Sequence, residues 1–248
     1  MRLLRSLVSW TVIVLATIVF AILSIPLARL PGGGKWFQRC SKGWSALILG
    51  ASGVRIRMLH ADRMRPDGLY VIASNHESFY DIPVLFASLP MPVRFLAKRN
   101  LVRLPFLGWA MAAAGFVPVD RADHSHGKEM LDTALSRLRD RRSLIVFPEQ
   151  TRTRTGDLSA FKSGAAVFAI KAEMPLLPVA IAGTFDVLRR DSFWIRPGRV
   201  TLAVGEPLSV EGRSARDRAA LTAELRAAIE ALRDEARAAD IRSDRGES

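Results

Sequence analysis

The run Gly68-Leu-Tyr-Val-Ile-Ala-Ser-Asn-His-Glu-Ser-Phe-Tyr-Asp81 decides how this 248-residue chain is read. Gly68 to Ser74 is a short apolar run bounded by turn residues, the pattern of a buried strand. Asn75 and Ser78 are turn and cap residues. From Ile82 the chain is apolar again and reads as a helix. His76 and Asp81 therefore flank a strand-to-helix turn, where side chains can face a cleft. A neutral imidazole there can take a proton from an alcohol. A carboxylate on its other ring nitrogen would fix the tautomer and stabilise the imidazolium that forms. Five residues along a regular helix do not stack two side chains, so the pairing requires the turn. The other reading is that His76 and Asp81 each cap the helix start or bond to backbone.

Working outward, the length allows one large domain, or one domain and an appendage, with a full core. The formal charge of +12 implies an anionic partner: nucleic acid, an anionic membrane surface or a phosphorylated substrate. The positive charge is spread along the chain and no nucleic-acid motif is present, so nucleic acid is the poorest fit. The single Cys40 excludes an intramolecular disulfide and a cysteine-rich metal site. The other histidines, His60, His124 and His126, are scattered and read as structural or solvent-exposed. No metal-ligand motif is visible.

Leu7 to Leu27 is uncharged and apolar. A helix of about 20 such residues spans a bilayer, and the run exceeds the apolar part of a signal peptide, about 7–15 residues. Arg2 and Arg5 precede it, and Arg29, Lys35 and Arg39 follow. Charge therefore assigns no orientation, and a span and a shallow interfacial segment both remain open. Lys35 to Gly50 mixes Trp36, Phe37, Trp44 and Leu47 with Lys35, Arg39 and Lys42. That mixture suits a helix in the headgroup region or a core-packing helix of the soluble domain. Residues 1–51 read as a membrane anchor and interfacial helix.

From Ser52 the texture is soluble α/β. Strand candidates recur at Val54–Leu59, Leu69–Ser74, Val93–Ala97, Gly115–Val119, Ser143–Phe147, Leu177–Ala182 and Val200–Val204. Helical stretches lie between them, notably His126–Arg139 and Ser163–Ala172. This alternation predicts a mixed, largely parallel sheet flanked by helices over residues 52–213. Ser214 to Ala239 is an amphipathic helix whose stripe of Leu221, Leu225, Ile229 and Leu232 faces the domain. The tail from Arg242 is expected to fray.

Polar clusters follow three strand candidates: Ala97-Lys98-Arg99-Asn100, Val119-Asp120-Arg121, and Phe147-Pro148-Glu149-Gln150-Thr151-Arg152-Thr153 with Phe161-Lys162-Ser163-Gly164 after it. Sites in open α/β sheets gather beyond the carboxyl ends of strands. Lys98, Arg121, Arg152 and Lys162 are thus expected to converge near His76. Several cations in one cleft suit a phosphate, and the helix start at Ser163-Gly164 offers backbone donors.

The set NHESFYD, GFVPVDR, FPEQTRT and LLPVAIAGT, in this order and spacing, resembles the four blocks of the glycerolipid acyltransferases. Within that family it is most similar to the 1-acyl-sn-glycerol-3-phosphate (lysophosphatidate) acyltransferases. The resemblance covers roughly Val54 to Pro207. It implies that His76 is the catalytic histidine and Asp81 its partner. It implies that Glu149, Thr151 and Arg152 lie where the acceptor's phosphate binds, with Arg121, Lys98 and Lys162 as further substrate-binding candidates, and that the residues around Pro178 help shape the donor site. The implied reaction is acyl transfer from acyl-CoA or acyl-carrier protein to the sn-2 hydroxyl of lysophosphatidate. No cofactor beyond that co-substrate is implied, and the implied partners are membrane lipids. The implied location is the inner membrane, with the catalytic domain facing the cytoplasm.

One position departs from the pattern. The third block usually reads Phe-Pro-Glu-Gly-Thr-Arg, and Gln150 replaces the glycine. Glycine often marks a positive φ or a close backbone approach to a ligand. The departure leaves another lysolipid, such as a lyso-ornithine lipid, open as acceptor. A thioester hydrolase and a basic membrane-surface binding protein are the readings from other classes.

Overall fold

Two-sided burial of short strands sets the architecture. In β2 (Val71–Ser74) and its neighbour β5 (Ser143–Val146) every residue is buried. Ile72 and Ile145 point into one apolar cluster, while Val71, Ala73, Leu144 and Val146 point into another. A strand buried on both faces needs apolar side chains at both parities, and these short runs supply them. The computed structural model describes residues 2–30, 32–119 and 142–244. The helix expected at His126–Arg139 lies outside the described residues.

The remaining strands are β1 (Val54–Leu59), β3 (Val93–Lys98), β4 (Val117–Val119), β6 (Leu176–Ala182) and β7 (Gly198–Val204). Among the described residues they form one seven-stranded sheet in the order β1-β7-β6-β2-β5-β3-β4. β6 and β7 pair antiparallel, and the other pairs are parallel. The sheet is mixed and largely parallel, as the alternation of elements predicts.

The helices are α1 (Arg2–Arg29), α2 (Gly33–Ser52), α3 (Asp81–Ser88), α4 (Arg99–Val102), α5 (Leu107–Ala113), α6 (Gly164–Ala172), α7 (Thr184–Val187) and α8 (Arg218–Asp244). One face of the sheet is covered from α2 and α3, whose Ile48, Leu49, Val84 and Leu85 join the first cluster. The other is covered by α6 and α8, with Phe168, Leu221, Leu225, Ile229 and Leu232 in the second. The C-terminal stripe thus packs on the sheet. Its helix runs through Asp244.

The α1–α2 hairpin shares the first cluster through Ile13, Ala16 and Phe37. The buried residues of α1 are Ser6, Ser9, Ile13, Ala16, Ala21 and Ser24. They recur three to five apart and are mostly small, which lets the backbone lie close to its neighbours. Polar ties fix the packing. The Trp10 indole donates to the Phe193 carbonyl at 2.9 Å, the Ile195 amide donates to Ser6 Oγ at 3.1 Å, and the Trp44 indole donates to Thr17 Oγ1 at 3.1 Å. The opposite face of α1 is apolar and exposed, with Leu7, Val14, Leu15, Val19, Ile22 and Leu23 each about half accessible. By length and composition α1 can cross a membrane, and it lies lengthwise on the body. The Lys35–Gly50 segment likewise has a core face, through Phe37 and Ile48, and an outward face at Trp36 and Leu47.

Gly183 closes the turn between β6 and α7 with a φ of 97°. A Cβ there would overlap the Arg199 carbonyl oxygen of β7. Only glycine meets both conditions. Gly183→Ala is expected to lower stability by about 1–3 kcal/mol, measured by urea denaturation; a wild-type midpoint would show that this turn accommodates a side chain.

Candidate active site

β2 delivers His76 to the carboxyl edge of the sheet. Asn75 first extends the β2–β6 ladder with its side chain. Its amide nitrogen donates to the Ile181 carbonyl and its oxygen accepts from the Ile181 amide, both at 2.8 Å. The His76 backbone is then held from the third block. Its amide donates to Glu149 Oε1 at 2.8 Å, and its carbonyl accepts from the Thr153 amide at 2.9 Å. The imidazole stacks on Phe147, with centroids 3.9 Å apart and planes 12° from parallel.

Asp81 opens α3 and is fully buried. Its Oδ2 lies 2.7 Å from His76 Nδ1 and also accepts from the amides of Glu77 at 2.8 Å and Ser78 at 2.9 Å. Its Oδ1 accepts from Thr184 Oγ1 at 2.5 Å. The pairing with His76 and the capping of the turn are therefore one arrangement: the same carboxylate does both. A carboxylate at Nδ1 sets the proton there and leaves Nε2 as the basic nitrogen. Among the described residues, Nε2 makes no protein hydrogen bond.

His76 lines a cleft of about 970 Å³. One wall comes from α1 and α2, through residues such as Phe20, Phe37 and Trp44. Phe79, Phe86, Phe95 and Met111 continue the apolar lining, and Gln150, Thr151, Arg152 and Arg190 supply its polar end. The arrangement suits a proton transfer at Nε2 beside a long apolar substrate.

The other expected site residues divide. Thr151 and Arg152 line the cleft. Glu149 is not among the residues lining the cleft: it is buried, and its second oxygen accepts from the Ser159 amide at 2.7 Å. Both oxygens hold backbone, and burial pushes its carboxyl above the ordinary value against those amide bonds. Lys162 does not join the cleft. The loop carrying it folds back through its own amide to the Pro148 carbonyl at 2.9 Å, and the side chain is left in solvent. Arg121 lies outside the described residues, as does Asp120, and Lys98 is placed only as the last residue of β3. Gln150 has a φ of 62°, so the position does take the left-handed conformation that glycine favours.

Four contributors escape a reading of the sequence alone. Thr184 caps Asp81, Phe147 stacks on His76, and the N-terminal hairpin walls the cleft. Arg190 is the fourth. It follows β6, which is parallel to β2, so the rule that sites gather at carboxyl ends applied to it as well.

Behind the turn lies a buried glutamate–arginine contact. Glu77 Oε1 is 3.1 Å from Arg233 Nε on α8, and the Arg233 guanidinium also donates to the Gly156 carbonyl. Burial, reinforced by the charge of Asp81, pushes the Glu77 carboxyl up to about 7, while Arg233 and Arg237 pull against it.

A mixed α/β sheet of this order carries a histidine–aspartate pair at its carboxyl edge, with an apolar cleft above it. The acyltransferase family model matches residues 55–182, more than half of the chain. The chain belongs to that family. Relatives include the 1-acyl-sn-glycerol-3-phosphate acyltransferase alpha of Mus musculus, 30% identical over 211 residues, which are 83% of this chain and 73% of that protein. The chloroplastic 1-acyl-sn-glycerol-3-phosphate acyltransferase BAT2 of Brassica napus is 34% identical over 139 residues, 56% of this chain. The match spans only 40% of that protein's length. The crystal structure of the 1-acyl-sn-glycerophosphate acyltransferase PlsC from Thermotoga maritima superposes with a TM-score of 0.79 over 92% of both chains, at 22% identity. That likeness establishes the fold.

Between pH 4.5 and about 7 the folded protein holds a proton on Glu77 that the unfolded chain has lost. This group's contribution to stability is therefore full below pH 4.5 and declines as pH rises through about 7. Glu77→Gln is expected to gain on the wild type with rising pH, by up to about 3 kcal/mol across the window. Urea midpoints from pH 4 to pH 8 measure it, and a difference running the other way would mean that Arg233 outweighs burial.

Proposed function

We propose that this protein transfers an acyl group from a thioester donor, acyl-CoA or acyl-carrier protein, to the free sn-2 hydroxyl of lysophosphatidate, forming phosphatidate. The observation that carries the reading is the His76–Asp81 pair, whose Nε2 makes no hydrogen bond among the described residues and faces an apolar cleft ending in two arginines. The names of the relatives agree with it.

In this reading His76 Nε2 takes the proton of the acceptor hydroxyl as that oxygen attacks the thioester carbonyl carbon. A C–O bond forms and the C–S bond breaks on collapse of the tetrahedral intermediate. The leaving thiolate takes the proton back from the imidazolium. Asp81 remains ionised throughout and compensates the transient positive charge on the ring. Stacking on Phe147 and the ties to Glu149 and Thr153 hold the base in place, and orientation of this kind is worth up to about 7–11 kcal/mol of barrier. No acyl-enzyme is needed, because no serine sits in a nucleophile-elbow motif.

The apolar wall from α1 and α2 would hold acyl chain, and the exposed face of α1 would sit in lipid. A lipid acceptor then reaches His76 without crossing water. The same reading places the enzyme on the inner membrane with its catalytic domain toward the cytoplasm, where the thioester donors are soluble.

Thiol release from a long-chain acyl-CoA by the detergent-solubilised protein tests the proposal. Release is expected to require lysophosphatidate and to yield phosphatidate. Acceptor-independent release would instead mean a hydrolase, and activity on a different lysolipid alone would move the acceptor assignment. His76→Ala is expected to lower the rate by at least about a hundredfold with an unchanged thermal midpoint. A near-normal rate would remove His76 from the mechanism.

A further inference from the structure

Arg189 and Arg190 are neighbours in sequence with different surroundings. The Arg189 guanidinium is exposed and stands over the Phe185 ring, 5.1 Å from its centroid. Arg190 turns into the cleft that holds His76. Its Nη1 donates to Thr151 Oγ1 at 2.8 Å and to the Arg152 carbonyl at 3.1 Å. These bonds pin one arm of the guanidinium to the third block. The carboxylate that Arg190 approaches is its neighbour Asp191, at 3.6 Å and largely exposed, which is beyond hydrogen-bonding distance.

Arg152, one residue from Thr151, also lines the cleft. Among the described residues its guanidinium makes no hydrogen bond or ion pair. The described cleft wall therefore holds two guanidiniums and an imidazole, and no carboxylate. Two like charges gathered in one recess are unfavourable unless an anion joins them. Glu149 does not line it, and each of its oxygens accepts a backbone amide. Among the described residues no carboxylate lines the recess, which leaves it open to an anion from outside.

We infer that Arg190 is a specificity-determining residue, which with Arg152 forms a two-guanidinium clamp for a dianionic phosphomonoester headgroup on the acceptor. The assignment rests on the acceptor reading above and deepens it. A phosphomonoester carries about −1.5 to −2 charges at neutral pH and three acceptor oxygens. Two planar forks approaching from different segments match it, whereas a phosphodiester, with two free oxygens and a single charge, matches them less well. Arg190 thereby makes headgroup charge a criterion, with its pinned arm fixing where the phosphate sits relative to His76.

The test uses full-length protein in detergent with lysophosphatidate and lysophosphatidylcholine as acceptors. Arg190→Gln keeps an amide donor for Thr151 and removes the charge. Arg190→Lys keeps the charge and loses the fork. Arg190→Gln is expected to raise the apparent KM for lysophosphatidate about ten- to a hundredfold, and to change the acyl-CoA KM and the activity on lysophosphatidylcholine much less. Competitive inhibition by inorganic phosphate should weaken in parallel, and Arg190→Lys should recover a substantial part of both losses. If Arg190→Gln restores wild-type KM where Arg190→Ala does not, the residue only positions Thr151 and the clamp is overturned. An unchanged KM in all three variants also overturns it, while leaving the acyltransferase reading intact. A wild-type enzyme silent on lysophosphatidate but active on lysophosphatidylcholine would overturn the acceptor reading and the clamp with it.

Discussion

The carboxylate of Asp81 is the constraint on which the site depends. It is fully buried, and taking such a group out of water costs several kcal/mol. Four donors offset that cost: the His76 ring, the amides of Glu77 and Ser78, and the Thr184 hydroxyl. Hydrogen bonds to a charged group contribute about 1.5–3 kcal/mol each, so losing any one of them weakens the carboxylate's hold on the turn. The turn, the ring orientation and the approach of α7 are therefore fixed together. The His76 tautomer follows from this packing.

The sheet makes that convergence geometrically possible. β2, β5, β3 and β6 all end at one edge, because β2 pairs parallel with both β5 and β6, and β5 pairs parallel with β3. His76 follows β2, Phe147 follows β5, and Thr184 and Arg190 follow β6. The antiparallel β7 then closes the turn at Gly183 from the other side. Behind the edge, Asn75 continues the ladder with its side chain, and Arg233 of α8 braces the same turn through Glu77. The third block contributes in two ways: Glu149 is spent on backbone, which leaves Thr151 and Arg152 to face the cleft.

The cleft separates its chemistry by source. Its apolar wall comes largely from α1, α2 and the ring cluster around Phe86 and Phe95, and its cations come from loops after the strands. The helices that wall the cleft also carry the exposed apolar surface. A substrate with an aliphatic tail and an anionic head fits this polarity in one orientation only, with its head beside the base.

The sequence by itself determined the strands, the mixed sheet and the amphipathic C-terminal helix, and it offered His76 and Asp81 either as a pair or as separate caps. These depend on local periodicity, on turn chemistry and on a separation of five residues. It also flagged position 150 as one that demands a special backbone, and Gln150 meets that demand with a positive φ. Only the tertiary structure decided that Glu149 holds backbone, that Lys162 stays in solvent, that the N-terminal hairpin forms the cleft wall, and that Thr184 and Arg190 belong to the site. Thr184 meets Asp81 across 103 residues, and Arg190 meets Arg152 across 38. No pattern along the chain encodes such contacts. They arise because parallel pairing places the ends of distant strands side by side, and because a buried carboxylate must find its donors wherever the fold provides them.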